Sequence, residues 1–188
     1  MALKRFKIAI LLGSFAAGGS ERAMINFANG LAAQEFEVDL IAGPGPQDFR
    51  ANVDATVNVI ELKHGMLKSI PFLRRYLCNQ EPGILFASQL HVNIVAILSR
   101  ILNSKSKTKI ILREATTPSQ LAKALKTWRE YGLMFLAKRL FHRAEHLIAA
   151  GEACRIDAVQ YYGLDPEKTT TVYSSFTCLL YTSDAADE

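Results

Sequence analysis

The sequence predicts an α/β fold, a parallel sheet with helices on both faces, and three observations carry that expectation. Short apolar runs alternate with stretches of helical spacing over most of the 188 residues. The strand-like runs, among them KIAILLGS (7–14) and KIILR (109–113), are near-continuously apolar, as strands covered on both faces are. A glycine-rich loop, GSFAAGGSER (13–22), joins the first of these runs to the first helical one.

Each element follows in order. Residues 7–14 read as the first strand. Residues 22–34 read as a helix, with Ala23, Phe27, Ala28 and Leu31 at helical spacing. Residues 37–42 (EVDLIA) form the second strand, stopped by Gly43, Pro44, Gly45 and Pro46. Residues 57–62 form the third. Residues 70–79 form a short helix with Pro71 in its first turn, where a missing N–H does little harm. Residues 84–88 form the fourth strand, after the break at Pro82 and Gly83. Residues 92–102 are helical and end in the loop 103–108. Residues 109–113 form the fifth strand, 125–143 a long helix, 146–149 the sixth strand, 156–162 a helix closed by Gly163, and 169–173 the seventh strand. No internal repeat and no internal linker interrupts the order.

Composition excludes several classes. Hydrophobic residues at 49% and charged residues at 21% give a soluble globular balance. No apolar run reaches the ~18 residues that span a bilayer. The apolar run 8–12 is too short for a signal peptide and no cleavage site follows it, so cytoplasmic residence is expected. Cys78, Cys154 and Cys178 are widely spaced, in neither a zinc nor a disulfide pattern, and read as isolated thiols. No metal site is expected.

The net charge of +4 is unevenly placed. Lys63, Lys68, Arg74 and Arg75 form one cluster, and Arg100, Lys105, Lys107 and Lys109 a second. Lys123, Lys126, Arg129, Lys138, Arg139 and Arg143, with Glu130 alone against them, form a third. Such clusters suit a phosphorylated ligand, an anionic lipid surface or nucleic acid; solvated faces that keep the domain soluble are the alternative. No basic-aromatic repeat or recognition motif accompanies the charge, which argues against nucleic acid.

In a parallel sheet, ligands bind beyond the carboxyl ends of the strands. The residues to examine are therefore 13–22, 43–48, 88–91, 113–118 and 150–152. Within the first window, Gly18 and Gly19 allow close approach to the backbone, Ser20 reads as a helix N-cap, and the acidic Glu21 suits the positive end of the helix. An anion site follows, with a tight ligand-free turn as the alternative. The spacing is not GxGxxG. It approaches a P-loop, but Gly19 stands where that motif needs Lys.

These residues resemble a known family. Residues 18–43 (GGSERAMINFANGLAAQEFEVDLIAG) look like the opening of glycosyltransferase family 4, with its Gly-Gly-x-Glu-Arg helix start and a Leu-Ala pair near the helix end. Residues 34–38 replace the family's usual Gly-His segment. Residues 88–98 (SQLHVNIVAIL) are similar to its fourth strand and following helix, and 110–119 (IILREATTPS) to a Ser-Glu-Arg-Asn-x-Pro stretch that keeps Pro118 but reorders Arg113 and Glu114. Residues 141–151 and 169–174 resemble the strands that lead to the interdomain linker, with Gly151 and Ser174 in place of the usual Ser and Asn.

The resemblance implies a retaining glycosyltransferase of two Rossmann-like domains facing across a cleft, the GT-B arrangement, with this chain as the N-terminal, acceptor-side domain. It implies a metal-independent enzyme with no cofactor, the nucleotide-sugar being a substrate. Donor-holding residues, an Arg/Lys pair and a Glu-x7-Glu motif, belong to a second domain beyond position 176 and are absent here. No catalytic residue is therefore assigned within this chain. Gly18, Gly19 and Ser20 are implied to approach the donor diphosphate or its sugar. Glu21 and Arg22 anchor the loop or face the acceptor, a glycan or lipid-linked sugar. Where many relatives place a sugar-touching His near strand five, this chain has Arg113 and Glu114, either as sugar contacts or as a mutual ion pair. His91, at the cleft rim, is a candidate ligand contact or a structural helix-start His. His142 and His146 read as packing or solvent-facing, and His64 has no evident partner.

Residues 128–143 (WREYGLMFLAKRLFHR) mix aromatic, aliphatic and basic residues at helical spacing. By resemblance this implies peripheral contact with the inner membrane face; a core-packing helix with a basic outer face is the alternative. The expected domain is 1–176. Residues 177–188 read as a non-native tail, because CLLYTSDAADE (178–188) resembles a translated sequencing-adaptor read-through; a natural acidic tail is the alternative. The rival functional reading is a stand-alone Rossmann-like module that binds a nucleotide or partner without catalysis.

Overall fold

The computed structural model describes residues 6–103 and 106–173. The tail 177–188 and the boundary at 176 lie outside the described residues.

Seven strands form one sheet in the order β3-β2-β1-β4-β5-β6-β7, and every neighbouring pair is parallel. The strands are β1 (Lys7–Leu12), β2 (Glu37–Ala42), β3 (Asn58–Glu61), β4 (Ile84–Ser88), β5 (Lys109–Glu114), β6 (His146–Ala149) and β7 (Thr169–Thr171). Between them run α1 (Gly19–Ala33), α2 (Ile70–Gln80), α3 (Leu90–Ile101), α4 (Pro118–Lys123), α5 (Trp128–Leu140) and α6 (Glu152–Tyr162). The chain builds outward from β1 through β2 to β3. It then returns to β4 on the other side of β1 and continues to β7. The order reverses between β1 and β4, and that gap is where parallel sheets of this kind hold ligands.

Alternation along each strand makes two cores. Ile8, Ile10 and Leu12 of β1 pack with Met24, Ile25 and Ala28 of α1 on one face. Ala9 and Leu11 point the other way, into the larger core that α2, α3, α5 and α6 cover. Both faces are apolar, which is why the strands read as runs rather than alternations.

A buried acid interrupts the apolar run of β2. Asp39 is 2% exposed. Tyr76 Oη donates to its Oδ2 at 2.5 Å, Asn58 Nδ2 donates to its Oδ1 at 2.7 Å, and Lys7 Nζ lies 3.3 Å away. A buried carboxylate is tolerable because each oxygen has a partner. Burial, and then the bond to Asp39, push the Tyr76 hydroxyl pKa up.

The boundaries differ from the sequence reading where caps override hydrophobic pattern. The first strand stops at Leu12, short of Ser14. The first helix begins at Gly19, with Gly18 as N-cap, so Ser20 is not the cap but a first-turn residue. The third helix starts at Leu90 and the sixth at Glu152, both earlier than their apolar repeats, while β7 ends at Thr171. The long helix expected over 125–143 is α5 alone. It starts at a capping box in which the Thr127 hydroxyl accepts from the Glu130 N–H and the Glu130 carboxylate accepts from the Thr127 N–H. The short α4, opened by Pro118, was not expected.

Candidate functional site

The site forms at the β1/β4 reversal, where α1 and α3 both begin. At the end of β1, a side chain on Gly13 would meet Gln89 Oε1 at 2.6 Å, and His91 Nε2 lies 3.6 Å from the same point. The absence of a Cβ there lets Gln89 and His91 close over the strand end.

Beyond it, the loop delivers Gly18 in extended conformation as the N-cap of α1, and no side chain caps this terminus. Gly19 is exposed, and Gly18 and Ser20 are half-buried. The first-turn amides have no intrahelical partner and lie at the positive end of the helix, with Gly19 at the surface. Segments 48–49 and 88–89 tie the turn down on either side, through Asp48 to the Ala17 N–H and Ser88 to the Ser20 hydroxyl, and Gly19 remains exposed between them.

Glu21 is different. It is 8% exposed, its carboxylate folds back against Gly18, and Gln89 Nε2 donates to its Oε1. Gln89 reaches it from a strained backbone, φ 83 and ψ 141, at the N-cap of α3. Glu21 is thus turned away from solvent and bonded to the start of α3. Arg22 turns away from it, onto the flank of α1, where it lines a groove of about 220 Å³ with Ile25, Asn26, Phe49 and Asn52.

Ser20 Oγ lies 3.0 Å from Ser88 Oγ, and Arg113 Nη1 donates to Ser88 Oγ at 3.4 Å. Arg113, 8% exposed, is thus drawn toward the strand reversal. Its neighbour Glu114 points to the other face, as successive strand residues must. There Asn93 Nδ2 donates to Glu114 Oε1 at 2.9 Å and to the Arg113 carbonyl at 3.2 Å. Burial pushes the Glu114 pKa up to about 7, against the pull of Asn93 and Arg113. Glu114 is 4% exposed, so it lies beneath the rim rather than on it. Beside it, Cys154 is buried, and that burial, then the Glu114 charge, push its thiol up to about 11, as an inert core thiol requires.

His91 keeps an exposed edge in the first turn of α3. Atoms packed beneath the ring lower its pKa, and the Glu21 carboxylate partly offsets this. At the far rim, Glu152 opens α6. The Arg155 guanidinium, then the Thr171 hydroxyl, hold its carboxyl down to about 2.

The structure thus gathers Gly18, Gly19, Ser20, Glu21, His91 and Arg113 around one strand reversal, with Arg22 on its flank and Glu114 below. Sequence reasoning missed Gln89, Ser88 and Asn93. The first two lie in a window it marked, and Asn93 is wholly buried. His142 and His146 lie at the opposite edge of the sheet, around a separate recess. Among the described residues, no group of three or more His, Cys, Asp or Glu is placed to hold a metal ion.

Comparison with known proteins follows the same outline. The model of Glycosyltransferase Family 4 matches residues 17–175. No curated protein matches the chain in sequence. A glycosyltransferase from Rickettsia africae ESF-5 superposes with a TM-score of 0.66 at 12% identity, over 91% of this chain and 43% of that one. Anabaena HepE, solved with UDP-glucose, gives 0.67 at 17% identity, over 93% and 45%. The lipopolysaccharide outer core galactosyltransferase WaaB gives 0.61 at 12% identity, over 89% and 45%. At these identities the likeness is one of fold, and the fold is the Rossmann-like one of GT-B glycosyltransferases. The chain spans less than half the length of each.

Proposed function

The chain belongs to Glycosyltransferase Family 4, and on that premise we propose that it is the acceptor-side half of a retaining hexosyltransferase. The whole enzyme moves a sugar from a nucleotide-sugar to a glycan or lipid-linked acceptor in the building of cell-envelope polysaccharide. The observation that supports this is the uncapped start of α1, exposed at the β1/β4 reversal.

Sugar transfer from a nucleotide donor leaves a diphosphate, whose negative charge grows as the glycosidic bond breaks. Fixed N–H groups aimed at that charge stabilise the transition state more than the ground state. The amides of Gly19 and Ser20 supply such groups without a bound cation or cofactor, and Gly18 keeps the approach clear. His91 at the rim, and Arg113 just beneath it beside Ser88, are the groups that reach the transferred sugar. Glu21 and Gln89 hold the loop. The donor's nucleotide is held by a second domain across the cleft, and the 188-residue chain alone does not catalyse transfer.

The enzyme works at the cytoplasmic side of a membrane. Among the described residues no helix is long and apolar enough to cross one. The support is α5, which buries Met134 and Ala137 and turns Trp128 (79% exposed), Tyr131 (58%) and Phe135 (58%) outward. Arg129 lies over the Trp128 ring and Arg139 over Phe135. An outward aromatic face ringed by cations fits an anionic lipid interface.

The test is to read the uninterrupted gene and assay its product. A second α/β domain with Glu-x7-Glu, and sugar transfer from a nucleotide-sugar that requires it, support the proposal. A gene that stops near codon 176, or transfer by this chain alone, contradicts it and leaves the binding-module reading.

A further inference from the structure

We propose that the groove between α1 and the 3-10 turn Arg50–Asn52 is a saccharide subsite, which holds one pyranose unit of a glycan acceptor. Its place in a reaction rests on the transferase reading; the binding itself does not.

The groove encloses about 220 Å³, lined by Arg22, Ile25, Asn26, Phe49 and Asn52. A pyranose offers a ring of hydroxyls, each both donor and acceptor, on an apolar C–H frame. The lining mirrors that chemistry. Arg22 brings a fork of donors, Asn26 and Asn52 each bring a donor and an acceptor, and Phe49 and Ile25 supply apolar wall.

The polar heads are available while their surroundings are fixed. Among the described residues, the side chains of Arg22, Asn26 and Asn52 make no hydrogen bond. Asn29, one turn further along α1, is fully used: its Nδ2 donates to the Asn52 carbonyl at 2.9 Å, and its Oδ1 accepts from the Asp54 N–H at 3.0 Å. On the other side, the Phe49 N–H donates to the Phe15 carbonyl at 2.9 Å and the Ala17 N–H to Asp48 Oδ2 at 3.0 Å. Both walls are thereby tied to α1 and to the glycine loop, so an occupant need not order them.

Position gives the groove its role. Arg22 follows Gly18 by one helical turn, about 6 Å along the axis. A sugar seated there lies on the flank of the helix whose start carries the glycine loop, and an acceptor chain that passes that loop can extend onto it. Arg22 is the one charged residue of the lining, so neutral pyranoses and uronates are both accommodated.

The test uses the ¹⁵N-labelled chain, titrated with methyl glycosides of glucose, galactose, mannose, N-acetylglucosamine and glucuronic acid. The side-chain amides of Asn26 and Asn52 and the Arg22 Nε–H are followed by NMR. The proposal expects at least one glycoside to shift all three together, saturating in the millimolar range. Arg22→Ala and Asn52→Ala, both at exposed positions, then weaken binding at least roughly fivefold, while Lys123→Ala leaves it unchanged; the dispersed amide spectrum reports that each variant is folded. Absence of any shift, or shifts that persist in both variants, overturns the subsite. Sugar binding by a protein that transfers nothing would leave the subsite standing and remove the transferase reading. Transfer with an acceptor KM indifferent to both variants would do the reverse.

Discussion

Gln89 Nε2 donates a hydrogen bond to Glu21 Oε1, which ties the start of α3 to the start of α1 across the strand reversal. The bond is made from a backbone conformation, φ 83 and ψ 141, that only glycine adopts without strain. Gln89→Ala keeps the strain and loses the bond, whereas Gln89→Gly loses the bond and relieves the strain. The glycine variant is therefore the more stable of the two by about 1 kcal/mol. Urea unfolding measures the difference; equal stabilities would mean that the backbone there is unstrained.

Glu114 makes stability depend on pH. Its pKa is raised to about 7 in the folded chain, chiefly by burial. Between the lower unfolded value and about 7, the native state holds a proton that the unfolded state has released. Stability is thus full at acid pH, falls as pH rises toward 7 and levels above it. Relative to Glu114→Gln, the native chain loses at most roughly 3 kcal/mol between pH 4.5 and 8. Unfolding free energies of both proteins across that range check it, and parallel curves would remove Glu114 as the cause.

Tyr76→Phe tests the buried carboxylate of β2. It deletes the donor to Asp39 Oδ2 while Asn58 and Lys7 remain. The expected loss is about 2 kcal/mol, as for a hydrogen bond to a buried charge. An unfolding midpoint within error of the native one would show that Lys7 alone satisfies Oδ2.

Trp128 is the single tryptophan of the sequence, so its emission reports α5 without labelling. On vesicles of anionic phospholipid it shifts to shorter wavelength, and on neutral vesicles it does not. Phe135→Ser lowers the partition coefficient by about tenfold, the effect of losing one inserted aromatic ring. Emission unchanged on anionic vesicles would remove the membrane reading and leave the transferase reading intact.

Much of the fold was legible because buried parallel strands announce themselves as apolar runs. The strands at 37–42, 84–88 and 146–149 match their expected limits, with Gly43, Gln89 and Gly151 close behind to stop the runs. Helix starts were less legible. Gly19, Ser20 and Glu152 carry no apolar repeat, and their helical state comes from backbone bonds such as Arg22 N–H to the Gly18 carbonyl. The glycine loop was legible as a site because its place after β1 follows from the order of elements. Gln89 was not, since nothing in its residue type signals a positive φ. That Arg113 and Glu114 point to opposite faces follows from their adjacency in a strand, but the depth of Glu114 depends on α3 and α6 packing above it.

The central claim is that the first-turn amides of α1 meet the donor's leaving diphosphate. The most direct measurement follows the ¹⁵N–¹H signals of Gly19 and Ser20 in the protein carrying both domains as UDP-glucose, or another nucleotide-sugar it binds, is added. The account predicts that both amides move downfield in step with donor binding, as they take up phosphate oxygens. Donor binding that saturates while these two signals stay in place would contradict it.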